Sequence, residues 1–154
     1  MAATDFHLTT DWVFDAPIEA VWRALNAPEE WPSWWPAVAK VERIAEGDAN
    51  GVGAVRRMTW RTALPYSFTF DMRMMAIEPM ALIEGRPEGS FHGLGRWRLW
   101  PDGGRTRVRY EWIVEVTQPW MRLLAPVARP IFAWNHRGVM RRGYVGLTRK
   151  LAAR

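Results

Sequence analysis

Cysteine is missing from these 154 residues, which excludes disulfides, thiolate metal ligands and thiol nucleophiles. Histidine is scarce. His7, His92 and His136 are the only three, and none stands at metal-ligand spacing from another or from a carboxylate, so no structural or catalytic metal is expected. Ser33, Ser67 and Ser90 belong to no nucleophile-elbow motif and have no neighbouring base, which leaves acyl-enzyme chemistry without support. Lysine is nearly absent, with two residues beside nineteen arginines, and the formal net charge is +5. That excess reads either as solubilising charge from a GC-rich genome or as a hint of an anionic partner. No apolar run approaches a membrane span and no signal peptide is visible, so a soluble cytoplasmic protein is expected. The length suits one domain, residues 1–154, with a core that needs no staples.

Tryptophan, by contrast, is abundant. Eleven large apolar rings, each with one N–H, imply a thick core or the walls of an aromatic-lined cavity. The first segment, Thr4 to Phe14, alternates. Phe6, Leu8, Thr10, Trp12 and Phe14 share one face, and His7, Thr9 and Asp11 share the other, the period of a half-buried strand. Asp15 and Ala16 close it. Pro17 suits a first helical position, and Ile18, Val21, Trp22 and Leu25 repeat at helical spacing. Pro28 starts a second short helix, with Glu29 and Glu30 where the helix dipole favours negative charge, and Pro32 and Pro36 keep it short.

A strand, then Ala16-Pro17-x-x-x-Val21-Trp22-x-x-Leu25, then Trp31-Pro32-x-Trp34, resembles the opening of the START-like (SRPBCC) superfamily, the birch-pollen-allergen-like helix-grip proteins, in its polyketide cyclase/dehydrase-like branch. The resemblance covers the whole chain. It implies an α+β fold in which a seven-stranded curved antiparallel sheet wraps around a long C-terminal helix, with two short helices after the first strand and an internal hydrophobic cavity. It says little about chemistry, since the superfamily includes lipid carriers, receptors, cyclases and chaperone-like proteins.

The remaining strands are expected at 38–45, 54–62, 66–77, 81–86, 91–100 and 105–117. Residues 46–53 form a hairpin loop whose glycines supply positive φ. With no lysine-serine cradle and no following helix, a nucleotide site and any other cofactor are not expected. Tyr66, Phe68, Phe70, Met72 and Met74 make one inward row, and Ala54, Met58 and Trp60 another. Val108, Tyr110, Trp112, Val114 and Val116 share a face with Trp97 and Leu99, leaving Arg96, Arg98, Arg107, Arg109 and Glu111 outside. A turn closing between Trp100 and Arg105 would set Arg98 against Arg107 and Arg96 against Arg109, a costly like-charge arrangement unless Glu84 or Glu111 intervenes.

Pro126 is expected to stop or kink any helix formed by Trp120, Leu123, Leu124 and Val127. The segment from Pro119 to Pro130 reads as a cavity lid, a membrane-touching edge, or a turn packed on the rim of the sheet. From Ile131 to Leu151 one helix is expected. Its stripe of Phe132, His136, Val139, Met140, Gly143, Leu147 and Leu151 grips the sheet, and Gly143 makes room for a sheet tryptophan or a ligand.

The cavity is therefore expected to be lined by Trp60, Phe68, Phe70, Met72, Trp97, Leu99, Tyr110, Trp112, His136, Val139, Met140 and Gly143, and to take a small hydrophobic ligand, lipid-, polyketide- or isoprenoid-like. His136 reads as a general acid or base, a group that orients a ligand oxygen, or a structural histidine. With Tyr110 and Arg61 it forms the candidate catalytic set for a cyclisation or dehydration achieved mostly by positioning. The alternatives are a non-catalytic lipid or quinone carrier or chaperone, touching membranes transiently, and an interaction module using the outer arginine patch. Nucleic-acid binding is not expected, because the basic residues are not interleaved with exposed aromatics in a recognised motif.

Overall fold

The computed structural model describes residues 5–65, 67–89, 91–116 and 119–153. Thr4, Tyr66, Ser90 and Thr117 lie outside the described residues. The order is β1 (Asp5–Phe14), α1 (Ile18–Leu25), a 3₁₀ helix (Pro28–Ser33), β2 (Val38–Ala45), β3 (Val55–Trp60), β4 (Phe68–Glu78), β5 (Leu82–Glu88), β6 (Phe91–Asp102), β7 (Arg105–Val116) and α2 (Pro119–Ala152). The strands form one curved antiparallel sheet in the order β1-β7-β6-β5-β4-β3-β2, with α2 across its concave side, which is the helix-grip fold. Among the described residues no helix is long and apolar enough to cross a membrane.

Alternation decides which side chains turn inward. Phe6, Trp12 and Phe14 of β1 are buried while His7, Thr9 and Asp11 are exposed. Pro17 sits one place earlier than its sequence suggests. It is the extended N-cap of α1, and its carbonyl accepts the N–H groups of Ala20 and Val21. Val21 and Leu25 of α1 are fully buried, which contributes about 1.5–3 kcal/mol each.

The 3₁₀ helix delivers Trp31, Trp34 and Trp35 into the core. Trp35 touches Trp12, Trp31, Trp34, Trp60 and Trp97 with ring centroids 5.1–6.2 Å apart. Its Nε1 donates to the Val139 carbonyl of α2 at 2.9 Å, and that of Trp31 donates to the Ala24 carbonyl at 3.1 Å. The glycines of α2 fit this cluster. A Cβ on Gly143 would come within 2.5 Å of Cε2 of Trp35, and one on Gly146 would overlap the Trp34 carbonyl oxygen. Gly143 thus makes room for a tryptophan that follows the 3₁₀ helix, not for one on the sheet.

Two further expectations are corrected. The β6–β7 hairpin closes two residues later than expected, with Asp102 opposite Arg105, because Gly103 and Gly104 take φ of 57° and 89° and complete a two-residue turn. Arg96 therefore faces Glu111, and Arg98 faces Arg109. Arg96 lies between Glu84 at 2.9 Å and Glu111 at 3.4 Å, Arg109 bonds Asp11 at 2.8 Å, and Arg107 bonds Asp102 at 2.6 Å. The outer patch is a lattice of ion pairs.

The second correction concerns α2, which runs through Pro126 and Pro130 without ending. Both prolines are exposed. What is lost is the N–H each would have given to the carbonyl four residues back. Trp120, Leu123, Leu124 and Val127 are all exposed, while Arg129 of the same segment lies over the Phe6 ring of β1, 5.4 Å from its centroid.

Candidate functional site

The concave face of the sheet and the inner face of α2 line a half-open cavity of about 190 Å³. That is room for on the order of a dozen waters, far more than a packing defect. Strands β3 and β4 contribute Met58, Trp60, Phe68, Phe70 and Met72, strands β6 and β7 contribute Trp97, Tyr110 and Trp112, and α2 contributes His136, Val139 and Met140. The wall is therefore aromatic and thioether-rich, a surface that adapts to apolar shapes.

Three of the residues singled out in the sequence lie elsewhere. Leu99 is buried in the core away from the cavity, and the space at Gly143 is filled by Trp35. Arg61 follows Trp60 in phase and so points to solvent, where it is exposed; only its backbone is engaged, with the N–H donating to the Ala37 carbonyl at 2.6 Å.

The arginine that does reach the wall is Arg56. It is 8% exposed, and its Nε donates to Glu29 Oε1 at 2.8 Å. Glu29 also accepts from Nε and Nη2 of Arg43, at 2.9 and 2.6 Å. Burial works against ionising Glu29, but the hydrogen bonds from Arg56 and Arg43 outweigh it and hold the carboxyl below its ordinary range. The clue to Arg56 is phase, since it alternates with Ala54, Met58 and Trp60.

Two glycines shape the floor. Gly85 and Gly95 face each other across β5 and β6, and both line the cavity. A Cβ on Gly85 would lie 2.9 Å from Cε of Met74, and one on Gly95 would lie 2.7 Å from the Tyr110 hydroxyl. Gly95 thus creates the space into which that hydroxyl projects.

Tyr110 and His136 meet over this floor. Their rings are nearly parallel, with centroids 6.2 Å apart and 15° between planes, and Tyr110 also lies 4.3 Å from Trp97. Burial, aided by the nearby Arg137 charge, lowers the His136 pKa to about 4, and burial raises that of the Tyr110 phenol. Near neutral pH the pair is an uncharged imidazole and an intact phenol. Neither makes a hydrogen bond among the described residues, so both are free to meet a ligand oxygen. Beside them, Oδ1 of Asn135 accepts the Ala63 N–H at 3.3 Å, which fixes the amide in the wall. Among the described residues no three potential metal ligands converge.

The solved structures that share this architecture differ widely in sequence. An aromatase/cyclase, Zhui, from Streptomyces sp. R1128 is 20% identical over 97% of this chain and 95% of its own, with a TM-score of 0.77. A START superfamily protein from Mycobacterium smegmatis is 15% identical over 96% and 97%, with a TM-score of 0.78. Major latex-like protein 151 from Panax ginseng is 16% identical over 86% and 98%, with a TM-score of 0.60. At such identities the likeness is one of fold. No curated protein matches the sequence. The sequence profile of the family described as polyketide cyclase/dehydrase and lipid transport matches residues 5–152, nearly the full length, and the chain belongs to that family.

Proposed function

We propose that the protein binds a small hydrophobic ligand, polyketide-, isoprenoid- or lipid-like, in the cavity between the sheet and α2, and that Tyr110 and His136 orient it. The observation that carries this reading is the Tyr110–His136 pair, without hydrogen-bond partners among the described residues, in a largely apolar wall whose Arg56 and Asn135 are already engaged. Apolar walls supply affinity, and a few polar groups supply direction. A neutral imidazole can donate or accept, and the phenol can donate, so together they match one carbonyl or hydroxyl on the ligand.

The same pair is poorly tuned for proton transfer near neutral pH. The imidazole is too weak a base and the phenol too weak an acid, so any cyclisation or dehydration here would rest on folding the substrate chain rather than on strong acid–base catalysis. Likeness to an aromatase/cyclase supports a polyketide-like ligand as the first class to try. The interaction-module alternative draws less support, because Arg96, Arg107 and Arg109 are already paired with carboxylates.

The test is native mass spectrometry of the purified protein with organic extraction of any bound molecule, followed by tryptophan-fluorescence titration with fatty acids, quinones and aromatic polyketides. A stoichiometric apolar ligand whose affinity falls about tenfold in Tyr110→Phe or His136→Ala is the expected result, each change removing one ligand hydrogen bond. An empty protein with no saturable quenching by any of the three classes overturns the reading.

A further inference from the structure

Helix α2 carries a second apolar stripe, outside the cavity. Trp120, Leu123, Leu124, Val127, Ile131 and Trp134 are each at least 50% exposed, and Leu123 and Val127 reach 81% and 77%. Their spacings of three and four residues place all six on one face. The ridge is about 20 Å long at 1.5 Å per residue, aliphatic in the middle and tryptophan at both ends.

Charge says what it fits. The 34 residues of α2 include six arginines, one lysine and no Asp or Glu. The other 14 basic residues are outnumbered by the chain's 16 acidic ones, so α2 holds the whole excess of positive charge. Arg137, Arg141 and Arg142 gather beside Trp134 around a surface hollow of about 260 Å³, and they make no ion pair among the described residues. Nε of Arg142 is buried without an acceptor. A second copy of this helix would meet the ridge with the same unbalanced cations, which disfavours self-association. Tryptophan at both ends of an aliphatic row suits the polar–apolar boundary of a bilayer, and a cluster of arginines suits phosphate headgroups.

We propose that the outer face of α2 docks the protein on an anionic lipid surface, with the ridge from Trp120 to Trp134 entering the headgroup–acyl boundary and Arg137 and Arg141 meeting lipid phosphates. Docking there leaves the inner face of the same helix, with Phe132 and His136 in the cavity wall, about one helix diameter, roughly 10 Å, from the bilayer.

Co-sedimentation of the full chain with vesicles tests it. Vesicles of equimolar phosphatidylcholine and phosphatidylglycerol are expected to bind the protein at least about tenfold more tightly than phosphatidylcholine alone, with the excess lost at high salt. Leu123→Glu with Val127→Glu is expected to lower partitioning by about tenfold or more, and Arg137→Gln with Arg141→Gln to bring the anionic vesicles close to the neutral ones. Both double variants alter exposed side chains, and their melting curves check that they remain folded. Absence of sedimentation with the anionic vesicles, or full retention of it in the Leu123/Val127 variant, overturns the proposal. So does a dimer in sedimentation velocity that the same variant dissociates, or binding to polyglutamate without binding to vesicles, which would assign the face to a second copy or to an acidic protein. Ligand titration without vesicles reads the cavity separately, so a failure there and a failure of docking are distinguishable.

Discussion

The two ends of α2 follow the same apolar periodicity and meet opposite fates. At the C-terminal end Leu147 is fully buried and Gly143 and Gly146 lie against Trp35 and Trp34. At the N-terminal end Leu123 and Val127 stand in solvent. At 3.6 residues per turn, the stripe from Phe132 to Leu151 and the ridge from Trp120 to Trp134 fall on nearly opposite sides of the helix. Periodicity thus reveals that a helix has an apolar face but not what covers it. Here one end is held by backbone-level contact with the core, and the other is presented outward.

The sharpest way to break this contrast is Gly146→Ala. Alanine is the better helix former, and in an unpartnered helix the change would stabilise. Here the added methyl overlaps the Trp34 carbonyl, a backbone atom that cannot swing aside. A loss of about 3 kcal/mol is expected in urea unfolding, the upper part of the range for overpacking. Gly143→Ala, which meets only the Trp35 side chain, should cost less. An unchanged midpoint for Gly146→Ala would mean that the C-terminal end is not seated as described.

Of comparable size at most is the pH dependence conferred by His136. In the unfolded chain an imidazole protonates near 6.5, while in the folded protein burial and Arg137 delay protonation to about 4. Between those values the unfolded state binds the extra proton, so stability is full above pH 6.5 and falls as the pH drops toward 4. The slope cannot exceed one proton, about 1.4 kcal/mol per pH unit. Below pH 4.5 Glu29, whose pKa is lowered, adds a loss of the same sign. Urea titrations at a series of pH values should show the upper limb, and His136→Gln should flatten it while leaving the Glu29 limb in place.

The strands and their inward rows were legible because strand alternation is a local property, and Phe6 to Phe14 or Phe68 to Met72 needs no partner to be interpreted. What was not legible depends on contacts distant in sequence. Arg56 has an inward phase, but an arginine on an apolar row is acceptable only once Glu29, 27 residues earlier, is known to meet it. Gly95 gave no signal, since its role is the space it leaves for the Tyr110 hydroxyl on the neighbouring strand. The hairpin register hung on whether Gly103 and Gly104 form the turn alone, and a shift of two residues preserves every inward side chain while changing every charge pair.

Removing the partner of Arg56 is expected to have a smaller effect. Glu29→Gln keeps an acceptor but removes the charge shared by Arg56 and Arg43, leaving a guanidinium in the cavity wall without its anion. Because Glu29 is itself 35% exposed, solvent screens the pair, and a loss of about 1 kcal/mol is expected. A larger share of the effect should appear as altered ligand affinity, since Arg56 lines the cavity. Apolar-ligand titration of the variant measures this directly.

Gly138→Ala is the smallest change and completes the comparison from the other side. Gly138 lies on the same helix, one turn beyond Trp134, yet a Cβ there would meet nothing within 4 Å. With no steric term, only the backbone term remains, and alanine restricts the unfolded chain and favours the helix. A gain of about 0.5–1 kcal/mol is expected, opposite in sign to Gly146→Ala although the two sites are eight residues apart. If Gly138→Ala instead destabilised the protein, something would have to cover this part of α2 in solution, and the outer face could no longer be treated as free to dock.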